Sequence, residues 1–189
     1  VWDPAWGTGN LTRDYTFKEL YVSTLNQSDI DTANQMGYNP EAVKFQYDFL
    51  NDEYEKLPEG LRKVIEEGRQ IIVLMNPPYG TATENSIEEG KHKSGISNTI
   101  VKNDMTINNL GKSKEQLYSQ FIYRLSILTS TINLCMFTPP LIFTGSSYEK
   151  LRHHIFSKLE FKKGFLMDAS HFADVKSWGL SFSILSSKQ

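Results

Sequence analysis

Two continuous apolar runs, each closed by a pair of prolines, constrain most strongly what this chain of 189 residues can fold into. They are QIIVLMNPPYG at 70–80 and TINLCMFTPPLIF at 131–143. An uninterrupted apolar run that stops at turn-forming residues is typical of a strand buried on both faces, as in the centre of a parallel sheet. We therefore expect a sheet that is largely parallel and covered on both faces.

Shorter strand patterns and amphipathic helical patterns alternate around these two runs. The weaker strand patterns lie at 18–31, 43–51, 161–170 and 178–188, and the helical patterns lie at 53–69, 113–131 and 146–159. Leu180, Phe182 and Ile184 fall on one side of the last pattern, which predicts an antiparallel strand at an edge of the sheet. Strands that alternate with helices predict an α/β fold with a mostly parallel, twisted sheet and a C-terminal antiparallel strand.

The composition excludes several classes of protein. The net charge is −2, whereas a free-standing nucleic-acid binder is usually basic, so any surface that meets nucleic acid must be local or lie outside these residues. No apolar run approaches the roughly 20 residues that span a bilayer, so we expect no membrane association. Cys135 is the single cysteine, which excludes an internal disulfide and a zinc site with several thiolates, and which fits a cytoplasmic protein.

Val1 is interpreted as the last part of a first strand, and a glycine-rich segment, DPAWGTGN at 3–10, follows it almost directly. Gly7 and Gly9 allow the backbone to turn tightly and to approach a ligand closely. Ligands of open α/β sheets bind at the carboxyl ends of the strands, so this segment is expected on the ligand side. Its G-x-G spacing lacks the final glycine of the dinucleotide fingerprint, and taken alone it also fits a plain turn.

Acidic residues close the second and third predicted strands. Asp29 lies in the segment NQSDID, which closes the second predicted strand. Its carboxylate can accept from the two hydroxyls of a ribose, and Asp31 competes with it for this role. Asp48 lies in FQYDFLN with Phe49 beside it, so a carboxylate can accept from an exocyclic amine while the neighbouring ring stacks on the base. Singly, each acid also fits a helix cap or a solvated turn, but in this order they predict a site for an adenosine-containing ligand.

The fourth predicted strand ends in the segment NPPY, residues 76–79. Pro77 and Pro78 have a fixed φ and no backbone N–H, so they stiffen the turn and leave its carbonyls free as acceptors. The Asn76 side chain adds another acceptor, and Tyr79 adds a flat ring. Together these residues predict a preorganised cup for a planar group that carries an amine.

A long polar connection at 80–116 follows this turn directly. Connections of this length within a domain are either functional or disordered, and we predict a mobile loop that closes over a substrate. Its basic residues are candidates for contacts with phosphates, although a solvated loop explains them equally well. These residues are Lys91, His92, Lys93, Lys102, Lys112 and Lys114.

The pair DPAWGTGN and NPPY resembles motifs I and IV of the S-adenosylmethionine-dependent N6-adenine DNA methyltransferases of bacterial and phage restriction–modification systems. SDID and YDF resemble the cofactor motifs between them, and QLYSQFIYRL is similar to the helix after motif IV. The resemblance implies a class I, Rossmann-like fold with helices on both faces, and S-adenosylmethionine as cofactor without a metal. It implies these cofactor-binding residues: Asp3, Pro4, Gly7, Gly9, Asn10, Asp29, Asp48, Phe49, Asn76, Leu117 and Phe121. It implies catalytic roles for Asn76, Pro77, Pro78 and Tyr79.

Members of this family usually have a segment before motif I and a target recognition domain beyond the last strand. Neither is recognised here, so we expect residues 1–189 to be a single catalytic-domain fragment. The resemblance implies double-stranded DNA as substrate, bound through the missing recognition domain, and it allows a fused or separate restriction or specificity module as partner.

Two other functions stay open on the sequence. NPPY is shared with some methyltransferases that act on protein glutamine or on RNA, so the amine substrate is not unique to DNA. A different class of function is a catalytically inactive, truncated domain that keeps the fold and acts as a scaffold in a larger complex.

Overall fold

The fold is built on a seven-stranded sheet with the order β3-β2-β1-β4-β5-β7-β6. A computed structural model describes residues 1–80, 98–171 and 179–188 of the chain. The strands are β1 (Trp2–Asp3), β2 (Tyr21–Thr24), β3 (Val43–Gln46), β4 (Ile71–Met75), β5 (Ile132–Thr138), β6 (Leu159–Asp168) and β7 (Gly179–Ser187). The first five strands in the order pair in parallel, which confirms the mostly parallel sheet.

Strand β7 is the antiparallel strand that the sequence predicts, but its predicted position at an edge is wrong. It pairs antiparallel with β5 on one side and with β6 on the other, so β6 forms the edge. The face of β7 that is buried is also not the one expected from the apolar residues. Ser181 and Ser183 are buried, whereas Phe182 and Ile184 are only half-buried. Ser181 is tolerated inside because its hydroxyl donates to the main-chain oxygen of Thr138 at 2.8 Å.

Six helices and several short 3-10 turns connect the strands in the described residues. The helices are α1 (Gln27–Gln35), α2 (Glu59–Glu66), α3 (Ile100–Ile107), α4 (Leu117–Leu128), α5 (Leu141–Thr144) and α6 (Glu149–Lys158). Helix α4 has 12 residues and is buried along most of its length, as expected for a central helix. No helix of the described chain is both long and apolar enough to cross a membrane.

Apolar side chains form two separate cores, one on each face of the sheet. The larger core joins the sheet to α4 and α6, with Val73, Leu134 and Leu125 fully buried in it. The smaller core, which includes Trp6, Val22 of β2 and Ala33 of α1, lies on the other side of the sheet. Helices on both faces are therefore confirmed, but the two layers differ in extent.

The expectation that the two apolar runs are buried on both faces holds only in part. Along β4, Ile71 and Val73 are buried, whereas Ile72 between them is 43% exposed and Leu74 is half-buried. Alternate residues of a strand point to opposite faces, so one face of β4 is covered less than the other among the described residues. A continuous apolar run specifies the strand but not what lies against each of its faces.

The prediction of a mobile loop at 80–116 is wrong for the second half of that range. Ile100–Ile107 form helix α3, which buries Val101 and Met105 in the larger core, and a 3-10 turn follows at Gly111–Glu115. The side chain of Thr99 accepts a hydrogen bond from the Lys102 N–H and caps the helix. The first half of the prediction, with the basic residues at 91–93, lies outside the described residues.

Candidate functional site

A cavity of about 510 Å³ opens at the carboxyl ends of β1, β2 and β3, where the sequence predicts ligand binding. Its volume lies in the range of small-molecule sites. The cavity brings together Pro4, Gly7, Asp29, Asp48, Phe49, Pro78, Leu117 and Phe121 from the predicted set. These residues come from five separate segments, so the site exists only in the folded chain. A second groove of about 410 Å³, at residues 13–20 and 37–42, holds none of the predicted residues.

The first loop follows β1 and turns sharply at its two glycines. Gly7 has a φ of +53° and lines the cavity, as predicted for a residue that approaches a ligand. Gly9 has a φ of +80°, and a Cβ there would lie 3.0 Å from the indole of Trp6. Gly9 and the exposed Asn10 are not among the residues that line the cavity. Gly9 thus allows the loop to pack on Trp6.

Asp3 ends β1 beneath this loop and is 1% exposed. Its Oδ1 accepts from the Ala5 N–H at 3.0 Å. Burial raises the pKa of the Asp3 carboxyl to about 7, and the hydrogen bond from Ala5 opposes this only partly. Asp3 is therefore a carboxyl group that keeps its proton to an unusually high pH, at the start of the loop that lines the cavity.

Asp3→Asn is expected to remove a pH dependence of stability. Between about pH 4 and pH 7 the folded state holds a proton on Asp3 that the unfolded state has lost, so the free energy of unfolding falls as pH rises. The loss is complete above pH 7 and amounts to roughly 4 kcal/mol at most. Urea unfolding at pH 5 and pH 8 measures the part that is lost above pH 5, roughly 3 kcal/mol, with the exposed Asp14→Asn as control. An equal pH dependence in wild type and Asp3→Asn would contradict the expectation.

Asp29 lies in the first turn of α1, which corrects the prediction that it closes the second strand. Strand β2 ends earlier, at Thr24, whose hydroxyl donates to Asp29 Oδ2 at 2.7 Å. Both residues line the cavity. Asp31 is exposed, accepts from Gln27 Nε2 at 3.0 Å and does not line the cavity. Of the two acids left open by the sequence, Asp29 therefore has the position of a ligand-binding carboxylate.

The turn after β3 carries Asp48 and Phe49 to the cavity wall. Asp48 Oδ1 accepts from the Leu50 N–H at 3.1 Å, and Oδ2 accepts from Asn51 Nδ2 at 2.8 Å. Each carboxylate oxygen accepts about two hydrogen bonds, so Asp48 retains capacity for a ligand donor. Phe49 is 3% exposed and stacks on Phe121 with ring centroids 4.7 Å apart. A base that stacked on Phe49 would have to extend or replace this ring pair.

The NPPY turn follows β4 and stands beside the cavity. The hydroxyl of Tyr79 donates to Asn76 Oδ1, and burial raises the pKa of Tyr79, which keeps this hydroxyl protonated as a donor. The Tyr79 ring meets Tyr118 of α4 edge to face at 6.4 Å. Pro78 lines the cavity, whereas Asn76 does not. The amide and the aromatic ring of the turn are therefore adjacent, at the rim of the cavity rather than inside it.

Several cavity residues carry no clear signal in the sequence. Leu25 follows β2 directly and is 58% exposed, which places an apolar side chain at the cavity mouth. Thr99 and Asn51 also line the cavity, and Asn51 Oδ1 accepts from the Ile100 N–H at 3.0 Å. Residues 51 and 100 are 49 positions apart, so no local pattern predicts that they meet.

The strand order, with one antiparallel strand beside the edge, and helices around a mostly parallel sheet define a class I, Rossmann-like methyltransferase fold. The whole chain matches 53% of an S-adenosylmethionine-dependent class I methyltransferase from Listeria monocytogenes, with 14% identity and a TM-score of 0.65. It also matches 23% of the chain in a DrdV–DNA complex, with 98% of its own length, 16% identity and a TM-score of 0.65.

A third similar structure is the modification subunit of a type I restriction enzyme from Vibrio vulnificus. There the match covers 98% of this chain and 39% of that one, at 13% identity and a TM-score of 0.56. No protein-family model and no curated protein matches the chain. At these identities the structures establish the fold. The chain spans about half the length of the Listeria protein, and less of the other two.

Proposed function

We propose that this chain is catalytic machinery of a DNA methyltransferase, which transfers a methyl group from S-adenosylmethionine to N6 of adenine. The observation that carries the proposal is that two sets of residues lie together at the carboxyl ends of the parallel strands. The first-loop glycine, Asp29 and Asp48 surround a cavity, and the NPPY turn stands at its rim. Similarity to a DrdV–DNA complex and to a restriction-enzyme modification subunit favours DNA as the substrate.

S-adenosylmethionine is the cofactor expected for this fold, and the residues of the cavity suit it. Asp29 and Asp48 line the cavity, and in this proposal Asp29 accepts from the ribose hydroxyls while Asp48 accepts from the exocyclic amine of the adenine. Gly7 leaves room for the backbone to approach the ligand. Leu117 and Phe121 supply apolar surface on the α4 side.

The chain's contribution to the reaction is to orient a weak nucleophile. The lone pair of an adenine amine is delocalised into the ring, so the amine attacks poorly unless its geometry changes. Asn76 Oδ1 and the carbonyl of Pro77 would accept its two hydrogens, which favours a pyramidal nitrogen whose lone pair points at the methyl group. Asn76 Oδ1 already accepts from Tyr79, but a carbonyl oxygen has two lone pairs and can accept twice. Positioning and electrostatics then supply most of the rate.

The target adenine must leave the base stack to reach this turn, and Tyr79 would stack on it. The charge is distributed unevenly along the sequence. Residues 1–75 contain 13 acidic and 7 basic residues, whereas residues 76–189 contain 9 acidic and 13 basic residues. The second part of the chain therefore carries a net positive charge, which attracts a phosphate backbone. In this proposal a separate domain recognises the target sequence, as the resemblance implies.

Incubation with labelled S-adenosylmethionine and unmethylated double-stranded DNA tests the proposal. Nucleoside analysis is expected to find the label in N6-methyladenine, and none when Asn76→Ala replaces the wild-type chain. Matched reactions with RNA and with protein test the other amine substrates. Label in 4-methylcytosine, or only in RNA or protein, would overturn the choice of substrate. A chain that binds cofactor but labels nothing would favour the scaffold function.

A further inference from the structure

Arg124 is a buried cation that the mechanism above does not use. It lies in α4, is 7% exposed, and belongs to the same helix as Leu117 and Phe121 of the cavity. Among the described residues it forms no salt bridge with a carboxylate. An arginine is rarely buried without such a partner, so its other contacts need a reason.

All of these contacts go to one segment, the turn at 47–52 that follows β3. Arg124 Nη2 donates to the hydroxyl of Tyr47 at 3.0 Å and to the main-chain oxygen of Asp52. The guanidinium carbon also lies 5.7 Å from the centre of the Tyr47 ring and 5.3 Å from that of Phe49. The cation therefore holds both ends of the turn and the ring in its middle.

The same turn presents Asp48 to the cavity. The turn closes on itself, since the N–H groups of Asn51 and Asp52 both donate to the Asp48 carbonyl, and Asp52 Oδ2 accepts from the Asp48 N–H at 2.8 Å. These bonds shape the turn but do not attach it to the rest of the protein. The turn also meets the N-terminus of α3, where Ile100 donates to Asn51, and Phe49 stacks on Phe121 of α4. Arg124 adds the polar tie to α4, and so helps to fix where the Asp48 carboxylate lies relative to the cavity wall formed by α4.

We propose that Arg124 is a positioning residue for adenine selection, which anchors the 47–52 turn so that Asp48 meets the exocyclic amine of the cofactor. The inference rests on the proposed function, since it assumes that the cavity takes S-adenosylmethionine. Arg124 acts through Asp48 and touches no reacting atom. Nη2 donates to the Tyr47 hydroxyl and to the Asp52 carbonyl while the planar guanidinium lies beside the Tyr47 and Phe49 rings, a combination that the compact ammonium of lysine reproduces only in part.

The test compares two ligands by calorimetry. One is S-adenosylhomocysteine, and the other is its analogue with purine in place of adenine, which lacks only the 6-amino group. Wild type is expected to bind S-adenosylhomocysteine about 10- to 100-fold more tightly, because a hydrogen bond to a carboxylate is lost with the amine. In Arg124→Met this preference is expected to fall to about threefold or less, and Arg124→Lys is expected to retain only part of it.

Arg62→Met is the control, because Arg62 of α2 donates to the carbonyl of Leu57, which precedes that helix, and does not line the cavity. Its ligand preference is expected to equal that of wild type. Thermal unfolding confirms that each variant is folded, and Arg124→Lys keeps the test decisive if Arg124→Met does not fold. If both ligands weaken equally in the Arg124 variants, Arg124 is merely structural and the inference is overturned. If wild type binds neither ligand, the proposed function itself fails.

Discussion

Asn76→Ala is expected to reduce methyl transfer by about 10²- to 10³-fold, a loss typical of removing a group that acts mainly in the transition state. The side-chain oxygen is the acceptor proposed to reshape the adenine amine, and alanine offers none. Affinity for S-adenosylhomocysteine should stay within a few-fold of wild type, since Asn76 does not line the cavity. Single-turnover transfer and calorimetric titration measure the two quantities separately.

Two further variants test whether the loss of transfer is specific to the Asn76 side chain. Asn34→Ala removes an exposed asparagine from α1 and is expected to change neither quantity. Tyr79→Phe removes the hydroxyl that donates to Asn76 Oδ1 but keeps the ring, so transfer should fall much less than in Asn76→Ala. Loss of cofactor binding together with transfer in Asn76→Ala would count against the role proposed for this amide.

Asp29→Ala is expected to weaken binding of S-adenosylhomocysteine by about 10- to 100-fold, because hydrogen bonds to a charged group are worth about 1.5–3 kcal/mol each. Asp29 lines the cavity and shares its Oδ2 with the hydroxyl of Thr24, which holds the carboxylate in place. The carboxylate also stands in the first turn of α1, where the helix dipole stabilises negative charge. Calorimetric titration with S-adenosylhomocysteine measures the effect.

Asp31→Ala is a closely matched control, because the same charge is removed from the same helix two positions away. Its carboxylate is exposed and accepts from Gln27 on the same helix, so affinity should change less than about twofold at 0.15 M salt. A larger effect for Asp31→Ala than for Asp29→Ala would reverse the assignment of the ribose acid.

Local sequence patterns were sufficient for the type of fold and for much of the candidate site. Apolar runs that end in prolines or glycines mark strands and their ends, and both signals act over fewer than about ten residues. The residues that follow those ends, such as Gly7, Asp48 and Pro78, line one cavity because parallel strands have their carboxyl ends on the same side of the sheet. Their functional roles stay predictions.

The errors of the sequence prediction have a common cause. Residues 98–116 look polar, yet α3 forms because Val101 and Met105 find a place in the larger core. Strand β7 alternates like an edge strand, but it is paired on both sides because β6 folds outside it. In each case a contact with a segment distant in sequence decides the local structure, and a local pattern cannot predict such a contact.

The sequence by itself determined the mostly parallel sheet and the segments that follow β1, β3 and β4, but it did not predict helices α1 and α3. The tertiary structure placed Asp29 but not Asp31 on the cavity wall, left Asn76 outside that wall, and brought Arg124 against the turn that carries Asp48. Strand and helix formation depends on periodicity and backbone stereochemistry, which neighbouring residues specify. The direction of one carboxylate, or the anchor of one turn, depends on packing between residues as far apart as Tyr47 and Arg124.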